Sequence, residues 1–101
     1  MSLVKLDLNN PTFQSEWFSL EKIEAEALRK TLKRIANFDW DEIYTTKGLK
    51  WEKIESKSTS KGYNLYSFRF SDKCRATGYR DGNYLVLLNL HPDHDSAYGK
   101  K

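Results

Sequence analysis

The sequence carries a single cysteine, Cys74, among its 101 residues, so no disulfide can close within the chain. No apolar run approaches the ~20 residues that a membrane-spanning helix needs. The opening residues Met1-Ser2-Leu3-Val4-Lys5 contain neither the apolar stretch nor the cleavage site of a secretory signal. A lone thiol, no span and no leader together predict a soluble chain in a reducing, cytoplasmic setting, away from any membrane. Internal repeats, low-complexity tracts and dividing linkers are also missing, which predicts one domain over residues 1–101. There is no Walker-type glycine loop, no dinucleotide-binding glycine fingerprint and no CxxC pair, so the common nucleotide-binding and dithiol redox motifs are excluded.

What is present is aromatic and charged. The chain holds 3 Trp, 6 Tyr and 5 Phe. Trp and Tyr combine an apolar body with a polar tip, which suits an interface or a site. The net charge of +3 is unevenly spread. Six basic and eight acidic residues lie between Met1 and Thr46, whereas nine basic residues between Lys47 and Arg80 face only Glu52, Glu55 and Asp72. A basic block between two mildly acidic ones suits a surface that meets a polyanion such as RNA. The same block also reads as a solvated face with no partner.

The periodicity divides the chain near Gly48. Residues 4–8 alternate apolar and polar, as in a short strand or an extended arm. Asn10-Pro11 marks a helix start, because Asn caps and Pro tolerates the first helical position; a short helix through Trp17-Phe18 follows. The clearest helix spans about residues 20–36, with Ser19 as N-cap and an apolar stripe of Leu28, Leu32, Ile35 and Ala36 extended by Ile23 and Ala27. Asp39 and Glu42 have the spacing of a capping box for a third, short helix ending near Thr46 to Gly48. Beyond Gly48 the pattern predicts strands over residues 49–54, 63–70, 74–80 and 84–90, with a hairpin turn at Asp81-Gly82 and a stop at His91-Pro92. The expected architecture is α+β, with N-terminal helices packed on one face of a mainly antiparallel four-stranded C-terminal sheet.

A sheet covered on one face leaves the other for function. Period-two counting places Arg69 opposite the Tyr66, Phe68 and Phe70 face, and groups Arg75 with Thr77 and Tyr79. Arg69 and Arg75 fall on adjacent strands joined by a short turn, so they can converge on one anion, which arginine grips in a bidentate manner. Both side chains are expected to face solvent, so their replacement would leave stability little changed. The tail from His91 to Tyr98 holds both histidines of the chain, His91 and His94, with Asp93 and Asp95. It offers acid–base groups, a weak metal-binding set, or simply a polar end segment. Cys74, beside Lys73 and Arg75, is either a thiol of lowered pKa or a small strand residue. Glu52 is a possible general base if its strand borders the open face.

The order of helices, strand and meander, with Tyr66-Ser67-Phe68-Arg69, Arg75-Ala76-Thr77-Gly78-Tyr79-Arg80-Asp81-Gly82 and a His/Tyr tail, resembles the RelE/ParE toxin superfamily from about Leu20 to Tyr98. The resemblance implies a RelE-like fold and the toxin of a type II toxin–antitoxin system. It further implies a metal-free, cofactor-free endoribonuclease that cuts mRNA on the ribosome, with a cognate antitoxin as partner. Arg69 and Arg75 would then hold the scissile phosphate. His94, Tyr98 and His91 would supply proton transfer and stacking, and Lys50, Lys53, Lys73, Tyr79 and Arg80 would bind RNA. Two alternatives stay open: a non-enzymatic toxin of the same fold inhibiting DNA gyrase, and a metal-dependent hydrolase centred on the histidine-rich tail. The segment 9–19 and the short helix near Trp40 depart from the simplest layout of the family.

Overall fold

Asn10 turns the chain into its first helix. Its side-chain oxygen accepts from the backbone N–H groups of Thr12 and Phe13 at 2.8 and 3.2 Å, and helix α1 (Pro11–Phe18) follows. The computed structural model that shows this describes residues 3–92, the side chains of Ser56 and Lys57 excepted. Ser19 closes α1 instead of opening the next helix. Its hydroxyl donates back to the Ser15 carbonyl at 3.0 Å, the local bond with which serine competes for backbone. Helix α2 (Lys22–Ile35) therefore starts later than the capping pattern predicts, without a side-chain cap. It buries Leu28, Thr31, Leu32 and Ile35, while Ile23 is 82% exposed. Ile23 precedes Leu28 by five residues, about 140° around the helix, and so lies off the buried stripe. Helix α3 (Trp40–Thr45) opens with the expected capping box: Asp39 accepts from the Glu42 N–H, and Glu42 accepts from the Asp39 N–H, each at 2.9 Å. A single 3₁₀ turn, Lys47–Leu49, ends at Lys50, a left-handed residue with φ 53°.

Among the described residues five strands form one sheet: β1 (Lys5–Asp7), β2 (Glu52–Ser58), β3 (Asn64–Arg69), β4 (Arg75–Asp81) and β5 (Tyr84–His91), in the order β1-β5-β4-β3-β2. The four C-terminal strands are antiparallel neighbours. The fifth, absent from the four-stranded expectation, is the alternating N-terminal segment, which pairs parallel to β5. β5 is too apolar to serve as an edge, and β1 covers it. The core lies between the helices and one sheet face. Phe13, Leu28, Leu32, Ile35, Trp40 and Ile43 meet Phe68, Phe70, Ala76, Leu85, Leu87 and Leu90. No helix among the described residues is long and apolar enough to cross a membrane.

One irregularity sets what the other sheet face displays. The β4–β5 register shifts between Thr77 and Gly78, so that Gly78 opposes Leu87 but Thr77 opposes Asn89. The extra residue carries the rest of β5 onward by one position. Leu90 thereby pairs with Ala76 on the core side, and His91 pairs with Arg75 on the open side. Continued without the bulge, the register would set Leu90 against Arg75 and turn His91 to the core side, because a one-residue slip reverses the faces. Gly78 permits the bulge: a Cβ there would fall inside the van der Waals shell of the Val86 carbonyl oxygen. Gly78→Ala is therefore expected to cost about 1–3 kcal/mol in a urea unfolding titration, and to shift the amide resonances of Leu87 to His91 most in a two-dimensional NMR spectrum.

Candidate functional site

On the open face the register aligns Arg69, Arg75 and His91 in one row across β3, β4 and β5. The adjacent row holds Glu52, Ser67, Thr77 and Asn89. Directly opposed residues in an antiparallel sheet lie about 5 Å apart at Cα and present their side chains on one face. Arg69 is half-buried and ends β3 just before the turn at Ser71, Asp72 and Lys73.

Arg75 does not face solvent: it is 3% exposed. Its guanidinium lies across β3, where Nε and Nη2 donate to the Ser67 hydroxyl oxygen at 3.2 and 2.9 Å. Nη2 also donates to the Lys50 carbonyl at 2.6 Å. A buried cation needs such partners, because an unsatisfied charge away from water is costly. The left-handed turn at Lys50 delivers that carbonyl, so the unusual backbone there has an evident use. Ser67 is 0% exposed and Thr77 5%, so the open face is close-packed at its centre. Thr77 Oγ1 donates to the Asn89 carbonyl at 3.5 Å and stands 3.4 Å from His91 Nε2. Short hydroxyl side chains thus support both Arg75 and His91. Sequence reading missed the roles of Ser67 and Thr77, although their odd-numbered positions beside Arg69 and Arg75 carried the signal.

The remaining sequence candidates divide by sheet face. Tyr79 lies on the open side and stacks on Tyr63, ring centroids 4.5 Å apart. Lys73 is exposed in the β3–β4 turn, and the Lys50 side chain is exposed beside the carbonyl that Arg75 uses. Arg80 and Lys53 belong to the other side. Arg80 packs 4.2 Å over the Trp40 ring, bonds the Tyr44 hydroxyl at 3.2 Å and the Gly82 carbonyl at 2.9 Å, and so knits β4 to α3. Lys53 pairs in register with Tyr66 and lies 3.9 Å from Glu55. Neither joins the Arg69–Arg75–His91 row. Glu52 opposes Ser67 and so does border the open face. His94 and Tyr98 lie outside the described residues. Burial pushes the Cys74 thiol above its ordinary pKa, only partly offset by a hydrogen bond with Ser71. Cys74 is thus the small core residue and not an activated nucleophile. Among the described residues no three of His, Cys, Asp and Glu form a cluster that could hold a metal ion.

No protein-family model matches the sequence, and no curated protein matches it significantly. The structure does match solved folds. A chain of the archaeal RelE–RelB complex from Pyrococcus horikoshii OT3 superposes with a TM-score of 0.62 at 14% identity, covering 100% of both chains. A copper-bound mutant toxin from Helicobacter pylori aligns at 13% identity with a TM-score of 0.47, over 95% of this chain and 98% of that one. The protein has a RelE-like α+β fold.

Two measurements check this geometry. Arg75→Ala leaves the Ser67 hydroxyl and the Lys50 carbonyl without their donor, and is expected to lower unfolding stability by about 2–3 kcal/mol. Arg69→Ala is expected to stay within about 0.5 kcal/mol of wild type in the same urea titration. Cys74, whose folded pKa is raised, stays protonated through neutral pH. Iodoacetamide should label it far more slowly at pH 8 in the folded protein than in urea. Its stabilising contribution is complete below the unfolded thiol pKa and falls as pH rises towards the folded one.

Proposed function

We propose that this protein is the toxin of a toxin–antitoxin pair and a metal-independent endoribonuclease that cuts mRNA on the ribosome. The observation that carries the reading is the Arg69–Arg75–His91 row on the open face of a RelE-like fold. Two arginines on directly opposed strand positions repel one another. Arg75 is hydrogen-bonded by the Ser67 hydroxyl and the Lys50 main-chain carbonyl, neutral groups that leave its positive charge in place, and a phosphate bound beside the two cations relieves the repulsion.

In the proposed reaction a base removes the proton of an RNA 2′-OH as its oxygen attacks the adjacent phosphorus. The phosphorane gains negative charge, the bond from phosphorus to the 5′ oxygen breaks, and an acid protonates that oxygen. The products are a 2′,3′-cyclic phosphate and a 5′-OH. Arg75 is held just beneath the open face before substrate arrives, so its fixed charge stabilises a phosphorane seated at Arg69. Arg69 supplies the second positive charge. His91 ends the row, and an imidazole exchanges protons near neutral pH. The tail residues His94 and Tyr98 are the further candidates for proton transfer and stacking. Lys50 and Lys73 offer flanking charge for the RNA backbone. The ribosomal target implies a cytoplasmic protein. Phe18 and Ile23, 83% and 82% exposed on α1 and α2, are large apolar side chains left outside the core and suit contact with the antitoxin.

Induction in a bacterium followed by mapping of mRNA 5′ ends tests the reading. Growth arrest with cuts confined to translated frames is expected, and Arg69→Ala should slow cutting on purified ribosomes about 10²–10³-fold. Arrest without cuts but with loss of DNA supercoiling would move the protein to the gyrase-inhibiting class. Loss of cutting at a chelator concentration that leaves ribosomes intact would favour a metal-dependent hydrolase.

A further inference from the structure

Tyr63 stands immediately before β3, where the β2–β3 turn fixes its backbone. Its N–H donates to Thr59 Oγ1 at 3.0 Å, its carbonyl accepts from the Thr59 N–H at 3.0 Å, and Gly62 supports the turn with φ 88°. The Tyr63 ring lies almost parallel to that of Tyr79, with centroids 4.5 Å apart and planes inclined by 22°. By strand alternation both rings share the face of Ser67, Arg69, Arg75 and Thr77. Tyr79 follows Arg75 by four residues on the same strand, about 13 Å. The two ends of this face differ in charge. Arg69, Arg75 and Lys73 stand at one end. At the other, Asp81 ends β4 in one row with Tyr84 and Lys5, whose ammonium lies 5.9 Å from the Tyr84 ring centroid, and Asp7 of β1 opposes Val86, which in turn opposes Tyr79. Burial, then Tyr63, Asp81 and Asp7, raise the Tyr79 phenol above its ordinary pKa, so the ring stays neutral.

We propose that the Tyr63–Tyr79 pair is a nucleobase platform that stacks one base of the RNA, about two nucleotides from the phosphate held by Arg69 and Arg75. The proposal rests on the endoribonuclease reading and adds a base preference to it. A single strand laid along β4 with a phosphate at the arginine end, and extended to roughly twice the 3.4 Å per nucleotide of a stacked duplex strand, spans the ~13 Å to the tyrosines in about two nucleotide steps. Carboxylates repel a phosphate at the tyrosine end but accept hydrogen bonds from exocyclic amino groups. Adenine, guanine and cytosine carry such groups and uracil does not. Purines also offer the larger stacking surface, so the platform favours purines most and uracil least.

The test is cleavage of ribosome-bound mRNAs randomised around the cut, with the base frequency read at each position. The wild-type protein is expected to enrich purines over uracil about two nucleotides from the cut. Tyr63→Leu, which keeps apolar bulk without the ring, and Tyr79→Ala should flatten that position and slow cutting of purine-bearing sites about 5- to 100-fold. Tyr63→Phe and Tyr79→Phe should retain the preference. Urea titration confirms that each variant is folded, and the two phenylalanine variants and Tyr63→Leu keep the test open if Tyr79→Ala does not fold. An even base profile in wild type, or an unchanged preference in folded Tyr63→Leu and Tyr79→Ala, would overturn the platform while cleavage itself still upheld the ribonuclease. No cleavage by wild type would overturn both.

Discussion

The buried guanidinium of Arg75 is the constraint from which much of this structure follows. A charge removed from water must be met by polar groups at close range. Here the Ser67 hydroxyl and the Lys50 carbonyl meet it. The first requires a small hydroxyl-bearing side chain at the centre of β3. The second requires the chain to approach β2 through a left-handed residue, Lys50, after the 3₁₀ turn. One side chain thus ties β4, β3 and the connection from α3 together on the face that the helices leave uncovered. The same bonds hold Arg75 in one orientation, as the proposed stabilisation of a transition state demands.

The two faces of the sheet divide the aromatic and basic residues between the packing under the helices and the candidate site. On the helix side, Trp40, Tyr44, Trp51, Tyr66 and Phe68 form a run of ring contacts, capped by Arg80 over Trp40. Arg80 is therefore a packing residue whose long apolar stem and planar head cover an indole. On the open side, the bulge at Gly78 brings His91 into line with Arg75 and sends Leu90 into the core. Core packing and site composition are coupled through that single extra residue: the displacement that buries a leucine also exposes a histidine to the arginines.

Local signals in the sequence were reliable where the physics is local. Asn10 and the Asp39–Glu42 pair cap helices within a few residues of themselves, and Gly82 takes the positive φ of 63° that a tight hairpin turn favours. Alternation in β3 correctly separated Phe68 from Ser67 and Arg69. Ser19 misled, because its hydroxyl has two local options, capping the following helix or bonding back to the preceding one, and composition does not choose between them. Ile23 misled because a stripe drawn too wide admits a residue about 140° from its centre.

By itself, the sequence determined the helices-then-meander order, the α+β class, the segregation of apolar residues to one strand face and the concentration of positive charge between Lys47 and Arg80. These depend on period and composition, which a linear chain displays. Only the tertiary structure decided that β1 closes the sheet beside β5, that Arg75 is buried instead of solvated, that His91 opposes it, and that Arg80 turns to Trp40. Each of these depends on which backbone group or side chain lies across a strand boundary, and that is set by register. A single bulge changes register by one residue, reverses the face of every residue beyond it, and leaves the local hydrophobic pattern almost unaltered.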